Sequence, residues 1–418
     1  MTRAMIPPTW PEMTRVFGRI GLMSFGGPAA QIAVMHRELV EDRPWLSEQT
    51  FLRALSLCML LPGPEAMQLA TYAGWRLRGV AGGLLGGLLF VVPGALFIAV
   101  LALLYAWYGQ LPLVQSAFLG IKAAVIIVVF QALLKVSSKA LRGQLGWALA
   151  LGSFIALFVL GLPFPLIILV AGVIGMIAGD PAVAPESVHL APARSLRTLL
   201  VWGALWAAPL VMLALTGNEF LLQLGLFFSK LAVVTFGGAY AVLAYMTQTV
   251  VQDFGWIDTD QMIDALGLAE TTPGPLILVT QFVGMLAGFA QSGPWGALSA
   301  GMLALWVTFT PCFLWIFLAG PYLEALSAQP RIAGALQAIT AAVVGVIANL
   351  SVWFALHVLF DRVASATFLA LPTPVWESFN LTAAALTLVA GILMLGLKRG
   401  FVTSMVLLTA LALLLSVI

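Results

Sequence analysis

"SFGGPA" at residues 24–29 and "LPGPEA" at 61–66 place glycine and proline inside otherwise apolar runs. The same two interruptions return in the same order as "TFGGAY" at 235–240 and "TPGPLI" at 272–277. In a helix interior, glycine costs about 1 kcal/mol and proline about 3 kcal/mol relative to alanine. A chain that breaks its own helices twice, at matched places, is organised as two copies.

The register of the copies can be counted. Phe25 and Phe236 differ by 211, as do Trp45 and Trp256, Pro62 and Pro273, and Arg19 and Lys230. On that diagonal, residues 17–64 set against 228–275 give 16 identities in 48 positions without a gap. Apolar composition alone would give about one in eight. After an insertion of seven, Pro93 answers to Pro311 and "IKAAV" at 121–125 to "ITAAV" at 339–343, both at a separation of 218.

The solvent follows from composition. Apolar residues make up 61% of the 418, charged residues only 9%, and mean hydropathy is +1.05. A soluble chain carries roughly a quarter charged residues, so most of this surface must face lipid. Cys58 and Cys312 both lie in apolar stretches, which excludes a disulfide scaffold or a cysteine metal cluster. The opening "MTRAMIPPTWPEM" lacks the apolar core of a signal peptide, so no cleavage is expected.

About 20 apolar residues span the hydrocarbon. The first copy then holds six membrane elements, near 14–36, 47–77 (broken at "PGP"), 80–107, 114–135, 145–162 and 164–179. The second holds six more, near 220–249, 258–290 (again broken), 296–320, 333–358, 378–397 and 401–418. One further apolar run, 199–215, lies between them. The expected fold is an all-α integral membrane protein of about 13 segments (6 + 1 + 6): two inverted repeats plus a linking helix. The domain reading is 1–180, a linker 181–218, and 219–418. With a cytoplasmic N-terminus, twelve Lys and Arg fall in cytoplasmic segments against Arg37, Arg43 and Arg362 outside, the bias of the positive-inside rule. That places the C-terminus outside. Inverted repeats with broken helices in matching positions are the pattern of secondary transporters, with the substrate near the midplane.

Four cations remain inside spans: Arg19, Arg53, Lys122 and Lys230. Each costs about 2.5–3.5 kcal/mol on the insertion scale, so each needs a reason. Arg19 and Lys230 sit six residues before an "FGG" break in each copy. Either they form an anion site with the amides of the breaks, or they snorkel or pair with Glu48, Glu65 or Glu270. Lys122 has Thr340 as its equivalent, which favours a structural role. Arg53 aligns with Asp264, and pairing between these two is the favoured reading. The candidate substrate-binding set is Arg19, Lys230, Ser24, Gly26, Gly27, Thr235, Gly237, Gly238, Gly63, Gly274, Gln68 and Gln281. Glu65, in the first turn after Pro64, suits the helix dipole; with Glu270 it is also a candidate proton-coupling pair. Gln68, Thr71 and Tyr72 form one polar stripe, and Thr271 and Thr272 supply polar groups in the second copy. His36, His189 and His357 fit no metal spacing, and no catalytic cluster is visible.

These residues resemble the chromate ion transporter family in its long, two-domain form. The likeness rests on "FGGPAAQIAVMHRELVEDRPWLSEQTFL", "LCMLLPGPEAMQLATYAGWRLRG" and "VVPG" in the first copy. In the second it rests on "FSKLAVVTFGGAYAVL", "GWIDTDQMIDAL" and "PGPLILVTQFVG". The resemblance implies efflux of chromate across a bacterial inner membrane, linked to the proton-motive force, with protons as coupling ion and no cofactor. Sulfate, the same tetrahedral dianion in shape, is the competing substrate. A membrane enzyme or scaffold is the reading from a different class, and a homodimer is a further possible assembly.

Overall fold

A computed structural model describes residues 8–25, 27–178, 192–236, 239–322, 330–365 and 372–417. The described residues are nearly all helix, with one short antiparallel pair of strands among them, β1 (Val363–Ser365) and β2 (Pro372–Pro374). Among the described residues, five helices are long and apolar enough to cross a membrane, and shorter apolar helices accompany them.

The helices fall where the apolar runs predict. In the first half they are α1 (Trp10–Met23), α2 (Gly27–His36), α3 (Glu48–Leu60), α4 (Glu65–Tyr108), α5 (Pro112–Ala140), α6 (Gly143–Phe158) and α7 (Phe164–Ala178). Then come α8 (Pro192–Thr216), α9 (Glu219–Val234), α10 (Ala239–Thr247), α11 (Thr259–Thr271), α12 (Val279–Ala319), α13 (Pro330–Leu359), α14 (Leu381–Gly391) and α15 (Phe401–Val417). Both glycine breaks end a helix, α1 at Met23 and α9 at Val234, and both "PGP" segments separate helices. Gly27, Gly63 and Gly274 have φ of +79°, +119° and +89°, the left-handed region in which a Cβ is strained. Gly26, Gly237, Gly238 and His189 lie outside the described residues.

Helices α4 and α12 each fold back on themselves. The turns are Arg78–Gly79 and Ser292–Gly293, with Gly φ of +62° in both. Small residues let the limbs meet: a Cβ on Gly74 would stand 2.1 Å from the Gly82 carbonyl oxygen, and one on Gly288 2.2 Å from that of Gly296. The residues that follow α2 and α10, Arg37–Glu41 and Gln248–Asp253, are both π-helical turns.

Two compact units are built from these elements, and each takes chain from both sequence halves. Unit one comprises Met1–Leu103, Asp180–Ala239 and Ala269–Ala333. In it α12 packs on α8 and α9, with Trp202 stacked on Phe313 and the Trp306 indole donating to the Leu205 carbonyl. Most of the apolar surface of α8 is left uncovered, as suits a helix facing lipid. Unit two comprises Leu104–Gly179, Tyr240–Leu268 and Gly334–Ile418. Its core sets α5 against α14 and α15 through Ala123, Ala124, Leu386 and Leu408. The backbones approach so closely that a Cβ on Gly120 would stand 2.5 Å from the Leu408 carbonyl oxygen.

Candidate functional site

In unit one the breaks exchange partners. The Gly63 amide donates to the Thr235 carbonyl at 2.8 Å, and the Gly274 amide to the Ser24 carbonyl at 3.0 Å. Ser24 and Thr235 are separated by 211 residues, and so are Gly63 and Gly274. Each "PGP" is therefore bonded to the glycine break of the opposite sequence half. Packing repeats the exchange: a Cβ on Gly63 would meet Cys312 Sγ at 2.9 Å, and one on Gly94 the Pro273 carbonyl oxygen at 2.2 Å.

Side chains complete the closure. The Ser24 hydroxyl donates to Ile20 O and that of Thr235 to Leu231 O, each one turn back in its own helix. Gln31, buried, donates to Gly274 O at 2.8 Å and more distantly to Ser24 O, tying one crossing together. Gln68 Nε2 donates to Pro62 O and Gln281 Nε2 to Ala95 O, while the Oε1 of each is buried without a partner. Thr71 and Tyr72 are also buried, as their polarity in an apolar helix requires, and so is Thr272 in the second break. A cavity of about 20 Å³ remains beside Gln31, Gly63, Pro64, Glu65, Thr235 and Pro275. That is room for about one water, not for a tetrahedral oxyanion.

The cations of unit one lie outside this closure. Arg19 is half exposed and contacts Glu38 Oε1 at 3.2 Å, and Arg43 contacts Glu38 Oε2 at 2.6 Å. Glu38 itself is fully buried, so two arginines share one carboxylate and the group keeps a net positive charge. Lys230 is exposed; Glu65 and Glu270 are half-buried. His36 contacts Glu48 and Glu41 and packs edge-on to Phe51, so it serves that ion cluster.

Unit two brings together a second polar group. Lys122, 8% exposed, donates to Asp260 Oδ1 at 2.6 Å and stands 3.5 Å from Asp264 Oδ1. The Tyr105 hydroxyl donates to Asp264 Oδ2 at 2.6 Å. Asp264 is thus held by Lys122 and Tyr105, neither of which the sequence paired with it. A cavity of about 380 Å³ in the same unit is lined by Thr247, Gln248, Gln252, Asn349, Trp353 and His357, among others. There the His357 ring packs at a tilt against Trp353, with centroids 4.4 Å apart, and its Nδ1 lies 2.9 Å from the Trp353 carbonyl oxygen.

Sequence reasoning found the breaks and their flanking residues but missed Gln31, Glu38, Tyr105 and Asp260. Gln31 and Glu38 stand in the quoted "FGGPAAQIAVMHRELVED" stretch, where a polar residue in an apolar helix and an acid between two arginines were the available signals. Tyr105 and Asp260 carry no local signal.

Residues 11–176 and 222–417 match the chromate transporter family. The chain belongs to that family. Relatives include the probable chromate transport protein of Synechococcus elongatus, 33% identical over 81% of this chain and 82% of the relative. The chromate transport protein of Pseudomonas aeruginosa is 33% identical over 88% of this chain and 86% of its own. That of Cupriavidus metallidurans is 30% identical over 80% of each. No solved structure matches the chain. Family and apolar helices together make it a multi-pass membrane transporter.

Proposed function

We propose that the protein exports chromate from the cytoplasm across the bacterial inner membrane, driven by the proton-motive force, and so confers chromate resistance. Relatives named as chromate transport proteins support the substrate. The observation that carries the mechanism is the exchanged pair of bonds, Gly63 to Thr235 and Gly274 to Ser24. A dianion leaving water needs donors and positive charge to replace its hydration. In the closed arrangement the two glycine amides are spent on carbonyls, and the cavity beside them is water-sized. Parting the breaks frees both amides at once, next to the N-terminus of α4, where the helix dipole favours an anion. Arg19 and Lys230, outside the closed crossing, supply the balancing charge once it opens, with Gly27 shaping the same site. The inverted repeats alternate its access between the two faces, the N-terminus being cytoplasmic and the C-terminus external.

Labelled chromate should enter inverted membrane vesicles containing the protein, faster when their lumen is acidic and positive. Uptake no greater than in vesicles lacking the protein would overturn the reading. Abolition of uptake by an equal concentration of sulfate would make sulfate the substrate.

A further inference from the structure

Asp264 is the most deeply buried carboxylate in unit two, fully shielded from solvent on α11. One oxygen accepts from Tyr105; the other, Oδ1, has no hydrogen-bond partner. Its nearest cation, Lys122, stands 3.5 Å away and gives its 2.6 Å bond to Asp260 instead. A buried acceptor without a hydrogen bond is costly, and more so when charged. Two carboxylates sharing one ammonium carry a net charge of −1 when all three are ionised, and one proton on Asp264 brings the cluster to neutrality. Asp260, with 71% of its side chain exposed, connects the cluster to water. Further titratable groups in electrostatic reach include Asp258, just before α11, which acts on Tyr105, and His357 on α13, on which Asp260 acts.

The network also occurs once per chain. At the equivalent positions Lys122 meets Thr340 and Asp264 meets Arg53. The breaks are duplicated; this cluster is not.

We propose that Asp264, held by Lys122 and Tyr105, is the site that binds and releases one coupling proton in each transport cycle. The inference rests on the proton-driven reading and moves the coupling role from Glu65 and Glu270 to a single asymmetric cluster. When Asp264 is ionised, Oδ1 draws on Lys122; when it is protonated, Lys122 is left to Asp260. Protonation thus changes which carboxylate holds α5 to α11.

The test uses the full chain in proteoliposomes and compares chromate uptake driven by an imposed pH gradient with chromate exchange under no gradient. Exchange reports folded protein, and the ratio of the two reports coupling. In Asp264→Asn that ratio should fall at least tenfold. Tyr105→Phe removes a donor to the ionised carboxylate, so the pH midpoint of gradient-driven uptake should move alkaline by about one unit. An unchanged ratio in Asp264→Asn overturns the inference; where that variant shows no exchange, Tyr105→Phe decides, and an unmoved midpoint overturns it. Wild-type uptake indifferent to the pH gradient in sodium-free buffer brings down the proton-driven reading itself. Wild-type uptake that requires sodium assigns the cluster to a metal cation and removes the proton.

Discussion

The Gly63 amide and the Thr235 carbonyl are joined at 2.8 Å, binding the proline–glycine break of one sequence half to the glycine break of the other. The reciprocal bond, Gly274 to Ser24 at 3.0 Å, makes the two crossings interdependent. Moving one break strains the other, so the pair is suited to open and close as a unit.

Alanine at either crossing glycine should disable that unit. At Gly63 and Gly274 the positive φ costs an L-residue about 1–2 kcal/mol, and the Cβ on Gly63 also meets Cys312 Sγ and Gln68 Nε2 at 2.9 Å. Chromate uptake into vesicles should fall at least tenfold in Gly63→Ala and Gly274→Ala. Gly18→Ala, where a Cβ meets nothing within 4 Å, should transport like the wild type. Equal transport in all three would reduce the breaks to packing features.

Arg19 and Lys230 should each be needed for transport. Arg19→Gln removes one of the two cations on Glu38 and leaves Arg43 in place; Lys230→Gln removes its counterpart. Each should lower chromate uptake at least tenfold, and Arg19→Lys should retain part, because a point charge replaces a planar fork. Normal uptake in both Gln variants, from inserted protein, would confine these side chains to structural pairing.

Glu38 is a position where losing a charge should harm folding before function. Its carboxylate is fully buried against the partly exposed Arg19 and Arg43, and Glu38→Ala removes the charge-assisted hydrogen bond from Arg43, worth about 1.5–3 kcal/mol, together with buried packing. Glu38→Ala should reduce the amount of inserted protein severalfold by immunoblot, with Glu38→Gln intermediate. Wild-type levels in Glu38→Ala would show that the arginines need no buried anion.

Opposed orientation of the two sequence halves can be read by labelling. Native Cys58 and Cys312 are buried, so background should be low. A cysteine at Lys139 should react only from the cytoplasmic side, and one appended to the C-terminus only from outside. Both reacting from one side would end the inverted arrangement.

The hairpin turns give a stability test independent of transport. A Cβ on Gly74 would stand 2.1 Å from Gly82 O, so Gly74→Val should lower the denaturation midpoint of the purified protein by several degrees or prevent its isolation. Gly203→Val on α8, with nothing within 4 Å, should leave it within about one degree.

The helices, their breaks and the polar stripes were legible because each is encoded locally: apolar length, glycine and proline, and a few polar residues at helical spacing. The break after Met23 and the one after Val234 fall where "SFGG" and "TFGG" place them. Composition likewise determined the lipid environment, since 9% charged residues cannot cover a surface in water. Pairing across the fold was not local. That Gly274 would bond to Ser24, that Asp264 would be held by Lys122 and Tyr105, and that Glu38 would be buried between two arginines were decided by tertiary structure alone. Membrane burial explains the division. It fixes which residues can be helical and apolar one segment at a time, whereas a buried carboxylate or a broken helix's free amide is satisfied by whichever distant group the packing delivers.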